Sequence, residues 1–199
     1  MTAIARVTIG APGRPGAEPG GEPLETVSAR SLGQLREAAA GASAPLLWIL
    51  DAGAVPEPDA LQALLEAGAR PAASLPLDAS GAPVERLIGR YADGDTERLL
   101  AAAQRRQVPL RHTHVVSLLV DRAAVLELAP PDPERYRGYA GSEWTARLLA
   151  RHPGVLVPAS KVRGPDPPKP ALAAALRMMR TPTWGRGETL RELRRVLPG

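Results

Sequence analysis

Two hydrophobic periods alternate along most of this chain. Ala3 to Ile9 alternates as a strand does, and Leu24 to Ala29 repeats the pattern. Leu32 to Ala40 has helical spacing, with Ser31 placed as its N-cap and Gly41 as its stop. Ala44 to Leu50 is a continuous apolar run, which suits a strand covered on both faces, as in parallel sheets. It ends at Asp51. A loop with Pro56 and Pro58 leads to a helix over Asp59–Ala67, whose inner stripe is Leu61, Leu64 and Leu65. Pro71–Leu77 reads as a strand, the Asp78–Gly81 stretch as a turn, and Val84–Ile88 as a return. Further on come a helix over Asp95–Arg105, a strand over His114–Val120 and a helix from Asp121 to Leu128. Pro130, Pro131 and Pro133 then interrupt the pattern. Ser142 opens a helix to Arg151, and Gly154–Pro158 is a short last strand. Strands alternating with helices predict an α/β domain with a mostly parallel sheet. Ligands of such sheets sit at the carboxyl ends of strands, where Asp51 lies.

Composition narrows this picture. A chain of 199 residues is long enough for one domain with a sizeable core. Phe is absent and there are three Trp and three Tyr, so Leu, Val, Ile and Ala must fill that core. The absence of Cys excludes disulfides and thiolate metal sites. Met1 to Ile9 lacks a signal peptide's apolar stretch, and no run of about 18 apolar residues occurs. The expectation is a cytoplasmic protein, soluble or peripheral to a membrane.

Charge divides the chain. Residues 1–160 hold 16 Lys/Arg against 18 Asp/Glu, whereas residues 161–199 hold 9 against 3. The net +4 therefore belongs to the end of the chain. The domain is expected to cover 1–163, with 10–23 as a Gly/Pro-rich loop, 164–170 as a linker and 171–199 as a basic helical tail. In that tail Leu190, Leu193 and Leu197 share a helical face among arginines. Such a helix packs on its own domain or a partner subunit, or meets an anionic membrane surface. Nucleic acid is the weakest option, because no aromatic residues interleave with the basic ones.

Three stretches together resemble a family 2 glycosyltransferase of the GT-A (nucleotide-diphospho-sugar transferase) fold. Trp48-Ile-Leu-Asp-Ala-Gly-Ala-Val-Pro-Glu-Pro-Asp-Ala-Leu61 is similar to the strand, loop and helix around that family's acidic metal motif. Arg111-His-Thr-His-Val-Val-Ser-Leu-Leu-Val-Asp-Arg122 is similar to the strand before the acceptor-side helix. Tyr139 to Leu148, then Val155 to Ser160, resembles the helix holding the catalytic base and the strand after it. The likeness covers about residues 45–163 and lies in the whole pattern. It implies sugar transfer from a nucleotide-sugar to a glycan or small-molecule acceptor, with Mg or Mn neutralising the diphosphate where the donor site works.

The resemblance also marks departures. Of the metal motif only Asp51 remains, followed by Ala52 and Gly53. Ala140 and Gly141 occupy the places of the catalytic Asp residues, and Glu143 remains nearby. Arg163 and Gly164 stand where a metal-binding His is expected. The Gly10–Pro23 segment replaces an element that helps cradle the nucleotide. The implied candidates are Asp51, Arg111 and Arg163 for the donor, with Asp51 as the residual metal ligand. Glu143 is the candidate base, and His112, His114 and Trp144 stand on the acceptor side.

Each has a structural alternative. Asp51 can cap the turn after its strand. Glu143 can pair with Arg147 one helical turn on. His112 and His114, on one face if extended, lack a third metal ligand. Asp93-Gly-Asp95 reads as a turn and helix cap. The pattern as a whole implies a degenerate domain with weak or no catalysis and a retained binding or assembly role. The alternatives are an active transferase, with arginines neutralising the diphosphate, and an adaptor working through the basic tail. A protein partner or homodimer fits the degenerate reading as well.

Overall fold

A computed structural model describes residues 3–10, 24–84, 107–164 and 172–181. The expected Gly/Pro loop, the Asp93–Asp95 triplet, the helix over 95–105 and the tail beyond 181 lie outside these residues.

Among the described residues the sheet has eight strands: β1 (Ile4–Ile9), β2 (Glu25–Ala29), β3 (Leu46–Asp51), β4 (Val55–Pro56), β5 (Ala72–Leu77), β6 (Val108–Leu110), β7 (Ser117–Asp121) and β8 (Gly154–Arg163). Their order is β2-β1-β3-β7-β5-β8-β4, with β6 also paired to β8. β1, β2 and β3 are mutually parallel, as are β5 and β8. β7 runs antiparallel between β3 and β5, so all five parallel strands point the same way. The short strands β4 and β6 run antiparallel to β8. The helices are α1 (Leu35–Gly41, after a 3-10 turn at Leu32–Gln34), α2 (Ala60–Glu66), α3 (Arg122–Glu127), α4 (Ala140–Arg151) and α5 (Leu172–Met178).

Two apolar layers sandwich the sheet, and strand alternation assigns residues to them. Val7, Leu47, Ile49, Leu118 and Leu156 pack on one face against α1, α3 and α4. Leu46, Trp48, Leu50, Leu119 and Val157 pack on the other against Leu61 and Leu64 of α2. This double coverage explains why β3 reads as an unbroken apolar run. The missing aromatic bulk is supplied by Trp48 and Trp144, both fully buried, one in each layer.

Polar side chains close the joints between elements. Arg122 at the start of α3 donates to the carbonyls of Ala39 (2.7 Å) and Ala40 (3.3 Å), satisfying the C-terminal end of α1. The carboxylate of Glu25 accepts the backbone N–H groups of Ser43 and Ala44 on the way into β3. These bonds hold its carboxyl below the usual range.

The sequence expectations shift at several ends. α4 begins at Ala140, two residues before Ser142, and its N-cap is Tyr139. β7 begins at Ser117, so His112 and His114 lie outside any strand and share no strand face. β8 continues to Arg163 because its register against β5 jumps from Ser74–Val157 to Leu75–Lys161, leaving residues 158–160 as a bulge. No helix among the described residues is long and apolar enough to cross a membrane.

Candidate functional site

The chain runs from β1 out to β2, then returns past β1 to β3. The sheet order therefore reverses between β1 and β3, the kind of place where open α/β sheets open a crevice. Ile9 is the register partner of Asp51 there, and the Ala52 N–H donates to the Ile9 carbonyl at 2.7 Å. Gly10 follows with φ +105°, a conformation that side chains disfavour, and its N–H donates to Ala29 of β2. A Cβ on Gly10 would lie 3.0 Å from the Ala52 Cβ. The tops of β1 and β3 are thus drawn together behind Asp51.

Asp51 itself is half-buried. Its Oδ1 accepts the Gly53 N–H at 3.0 Å, forming an Asx-type turn. Its Oδ2 has no hydrogen-bond partner among the described residues. Burial raises the Asp51 carboxyl above its ordinary value, against the opposing effect of the Gly53 bond. One carboxylate oxygen is therefore engaged in shaping the loop, and the other makes no hydrogen bond among the described residues.

Two other segments reach the same end of the sheet. The Asp51 N–H donates to the Val116 carbonyl at 3.0 Å, which brings in the stretch before β7, including half-buried His114. The first turn of α4 lies against that stretch. A Cβ on Gly141 would come within 3.1 Å of the Val115 nitrogen. Thr145 fastens the contact, accepting the Thr113 N–H at 2.9 Å and donating to its carbonyl. Glycine at 141 permits this close approach, and a carboxylate-bearing residue there would have to displace backbone.

The remaining candidates divide. Glu143 is buried, and both its oxygens are held by Arg147: Nε to Oε1 at 2.7 Å and Nη2 to Oε2 at 3.0 Å. Trp144 is buried in the core beneath α4. His112 is buried as well. Arg163 is exposed at the carboxyl end of β8, where it registers with Leu77 and with Val55. Only the stretch 51–55, at most about 14 Å long, separates Asp51 from that register position. Arg111 follows Leu110, which pairs with Gly154 at the opposite end of β8. The structure therefore gathers Asp51, His114 and Arg163 toward one end of the sheet and places Arg111 at the other. No group of three potential metal ligands exists among the described residues.

The sequence reading missed Ser160. Its hydroxyl is fully buried and donates to the Ala60 carbonyl at 2.7 Å, fixing the start of α2 after the Asp51 loop. The only signal was an isolated polar residue after an apolar strand.

No family model matches the chain, and no curated protein matches it in sequence. Solved structures do match. One is GalNAc-T7, solved with UDP, GalNAc and Mn2+, at a TM-score of 0.50 and 13% identity, covering 82% of this chain and 44% of that one. Another is TarS of S. aureus, at a TM-score of 0.48 and 9% identity, covering 87% of this chain and 32% of that one. The chain thus spans less than half the length of either. With its mostly parallel eight-stranded sheet flanked by helices, it has a GT-A-like α/β fold.

Proposed function

We propose that this chain is a glycosyltransferase-like domain of the family 2 type, which keeps a nucleotide-sugar or nucleotide binding site and has weak or no catalysis. The observation that carries the binding half is Asp51. It sits at the reversal point of strand order, half-buried, with a raised carboxyl pKa and one oxygen that makes no hydrogen bond among the described residues. Perturbed carboxyls in such crevices mark functional positions more often than chance. Arg163 offers a cation at the same sheet end for a diphosphate. The loss of catalysis follows from what surrounds them. Ala52 and Gly53 carry no side-chain ligand atoms, Gly141 carries no base and stands where a Cβ would crowd the Val115 nitrogen, and Glu143 is tied to Arg147.

Calorimetric titration with UDP, GDP and dTDP, each with and without Mn2+, tests this reading. The expected result is binding of at least one nucleoside diphosphate that changes little with Mn2+ and weakens about tenfold in Asp51→Ala, the loss of one charge-assisted hydrogen bond from a ribose hydroxyl to the carboxylate. A parallel assay should find no sugar released from nucleotide-sugars. Binding that requires Mn2+, together with sugar release, would favour an active transferase with Asp51 as metal ligand. Absence of binding under every condition would remove the donor site from the reading.

A further inference from the structure

Among the described residues the sheet ends at β2, whose outer side no strand covers. One bond fixes which of its backbone groups face outward. The Gly10 N–H donates to the Ala29 carbonyl, so Ala29 points its backbone groups toward β1. Successive residues of a strand point theirs to opposite sides, so Glu25 and Val27 share the direction of Ala29. Thr26 and Ser28 therefore direct N–H and C=O away from the sheet, and these groups bond no described residue. Their side chains are exposed as well, on the face opposite the layer that holds Val27 and Ala29.

β2 carries none of the devices that keep sheet edges apart. Glu25–Ala29 has no Pro, no Lys and no bulge against β1. Its one charged side chain, Glu25, turns back to the N–H groups of Ser43 and Ala44. The free groups also select a register. Leu24 and Arg30 flank Thr26 and Ser28 in the outward-facing set, and both are engaged. The Leu24 carbonyl accepts the Thr26 hydroxyl at 3.4 Å, and the Arg30 N–H donates to Gln34 Oε1 at 3.0 Å. An antiparallel two-fold pairing of Thr26 with Thr26 would need Leu24, and one of Ser28 with Ser28 would need Arg30. Thr26 opposite the second copy's Ser28 uses the free groups alone. Val27 then faces its own image, a β-branched pair, and Glu25 faces Ala29, so no like charges meet.

We infer that β2 is the docking edge for a second copy of this chain, joined antiparallel about Val27 into one continuous sheet. A two-fold contact has to be complementary to itself. This strand meets that requirement in its backbone bonds, its side-chain pairs and its charge. The inference stands apart from nucleotide binding at the strand ends.

Analytical ultracentrifugation of the full chain, from about 1 μM to about 1 mM, tests this. A reversible monomer–dimer equilibrium is expected. Thr26→Lys with Ser28→Lys sets like charges opposite each other in the selected register and should weaken the dimer about tenfold. Thr26→Lys with Ser28→Glu sets opposite charges there and should restore it to within about threefold of the parent. In the register of Thr26 with Thr26 the second variant would still oppose like charges, so its rescue reports the register. Both doubles change exposed side chains only, and their melting temperatures should match the parent. Three results would overturn the inference. One is a monomer at every concentration. Another is a dimer that the first double leaves intact. The last is a dimer that both doubles weaken equally, which would mean that Thr26 does not face Ser28.

Discussion

Asp51 carries two burdens at the residue scale, and pH separates them. Its carboxyl loses solvent at the end of β3, and this desolvation outweighs the hydrogen bond from Gly53. The folded chain therefore holds the Asp51 proton to higher pH than the unfolded chain does. Between the ordinary carboxyl value of 3.8 and the raised one, the folded state binds more protons, so stability falls as pH rises through that window. Above it, the ionised carboxylate leaves the protein less stable than an uncharged side chain of the same shape would. Asp51→Asn should accordingly raise the melting temperature at neutral pH, by a few degrees or less. The gain should vanish as pH drops below 3.8. Thermal melts across that range measure it. A variant less stable at neutral pH would show that the carboxylate is structural and would weaken its assignment to ligand binding. Glu143 stands in contrast: its two bonds to Arg147 account for its burial without any ligand.

At the scale of elements, the sequence pattern places the strands well where both faces are apolar. β3, β5 and the start of β8 fall within a residue or two of expectation, because their apolar runs are bounded by Asp, Pro or Gly. It fails where tertiary contacts define an element. β4 is two residues long and β6 three, and each exists because β8 offers an edge to pair with. α4 starts early, and Gly141 in its first turn presses against the stretch before β7, a contact no helical periodicity announces. The same applies at Gly154, which opens β8 between β5 and α4. A Cβ there would lie 2.5 Å from the Pro71 carbonyl oxygen and 2.6 Å from the Leu149 Cδ2. The Pro71 oxygen cannot retreat without losing its bond from the Val155 N–H. Gly154→Ala should destabilise the fold by about 3 kcal/mol through overpacking. Chemical denaturation measures this. Gly41→Ala, where a Cβ meets nothing within 4 Å, is the matched control and should be neutral or slightly stabilising. Equal effects at the two positions would mean that β8 can slide away from α4.

Across the whole molecule, one buried chain of hydroxyl groups links the sheet to the loop that carries the candidate site. Trp48 Nε1 donates to Ser117 Oγ at 3.1 Å, and Ser117, Ser74 and Ser160 follow at 2.6 and 2.7 Å. The Ser160 hydroxyl must donate to Ala60, because a carbonyl cannot donate in return. A serine has one hydroxyl proton, so Ser74 must donate to Ser160 and Ser117 to Ser74. The direction of every bond from β3 through β7, β5 and β8 to α2 is thereby fixed. Nothing in the sequence announces this, since the three serines lie far apart and each reads alone as a polar interruption in an apolar strand. The network also gives the 158–160 bulge a reason, because it turns the Ser160 hydroxyl inward toward α2 while Lys161 and Arg163 remain exposed. Ser74→Ala removes the middle link, leaving a buried Ser117 proton without its acceptor. A cost of about 1–3 kcal/mol is expected, or on the order of 5 °C in melting temperature. Ser160→Ala should cost a similar amount, because it leaves the buried Ser74 proton without its acceptor. The double variant should cost less than the sum of the two, because the first substitution already breaks the chain. Additive losses in the double-mutant cycle would mean that the hydroxyl groups act as separate pairs, and that the site loop is held by packing alone.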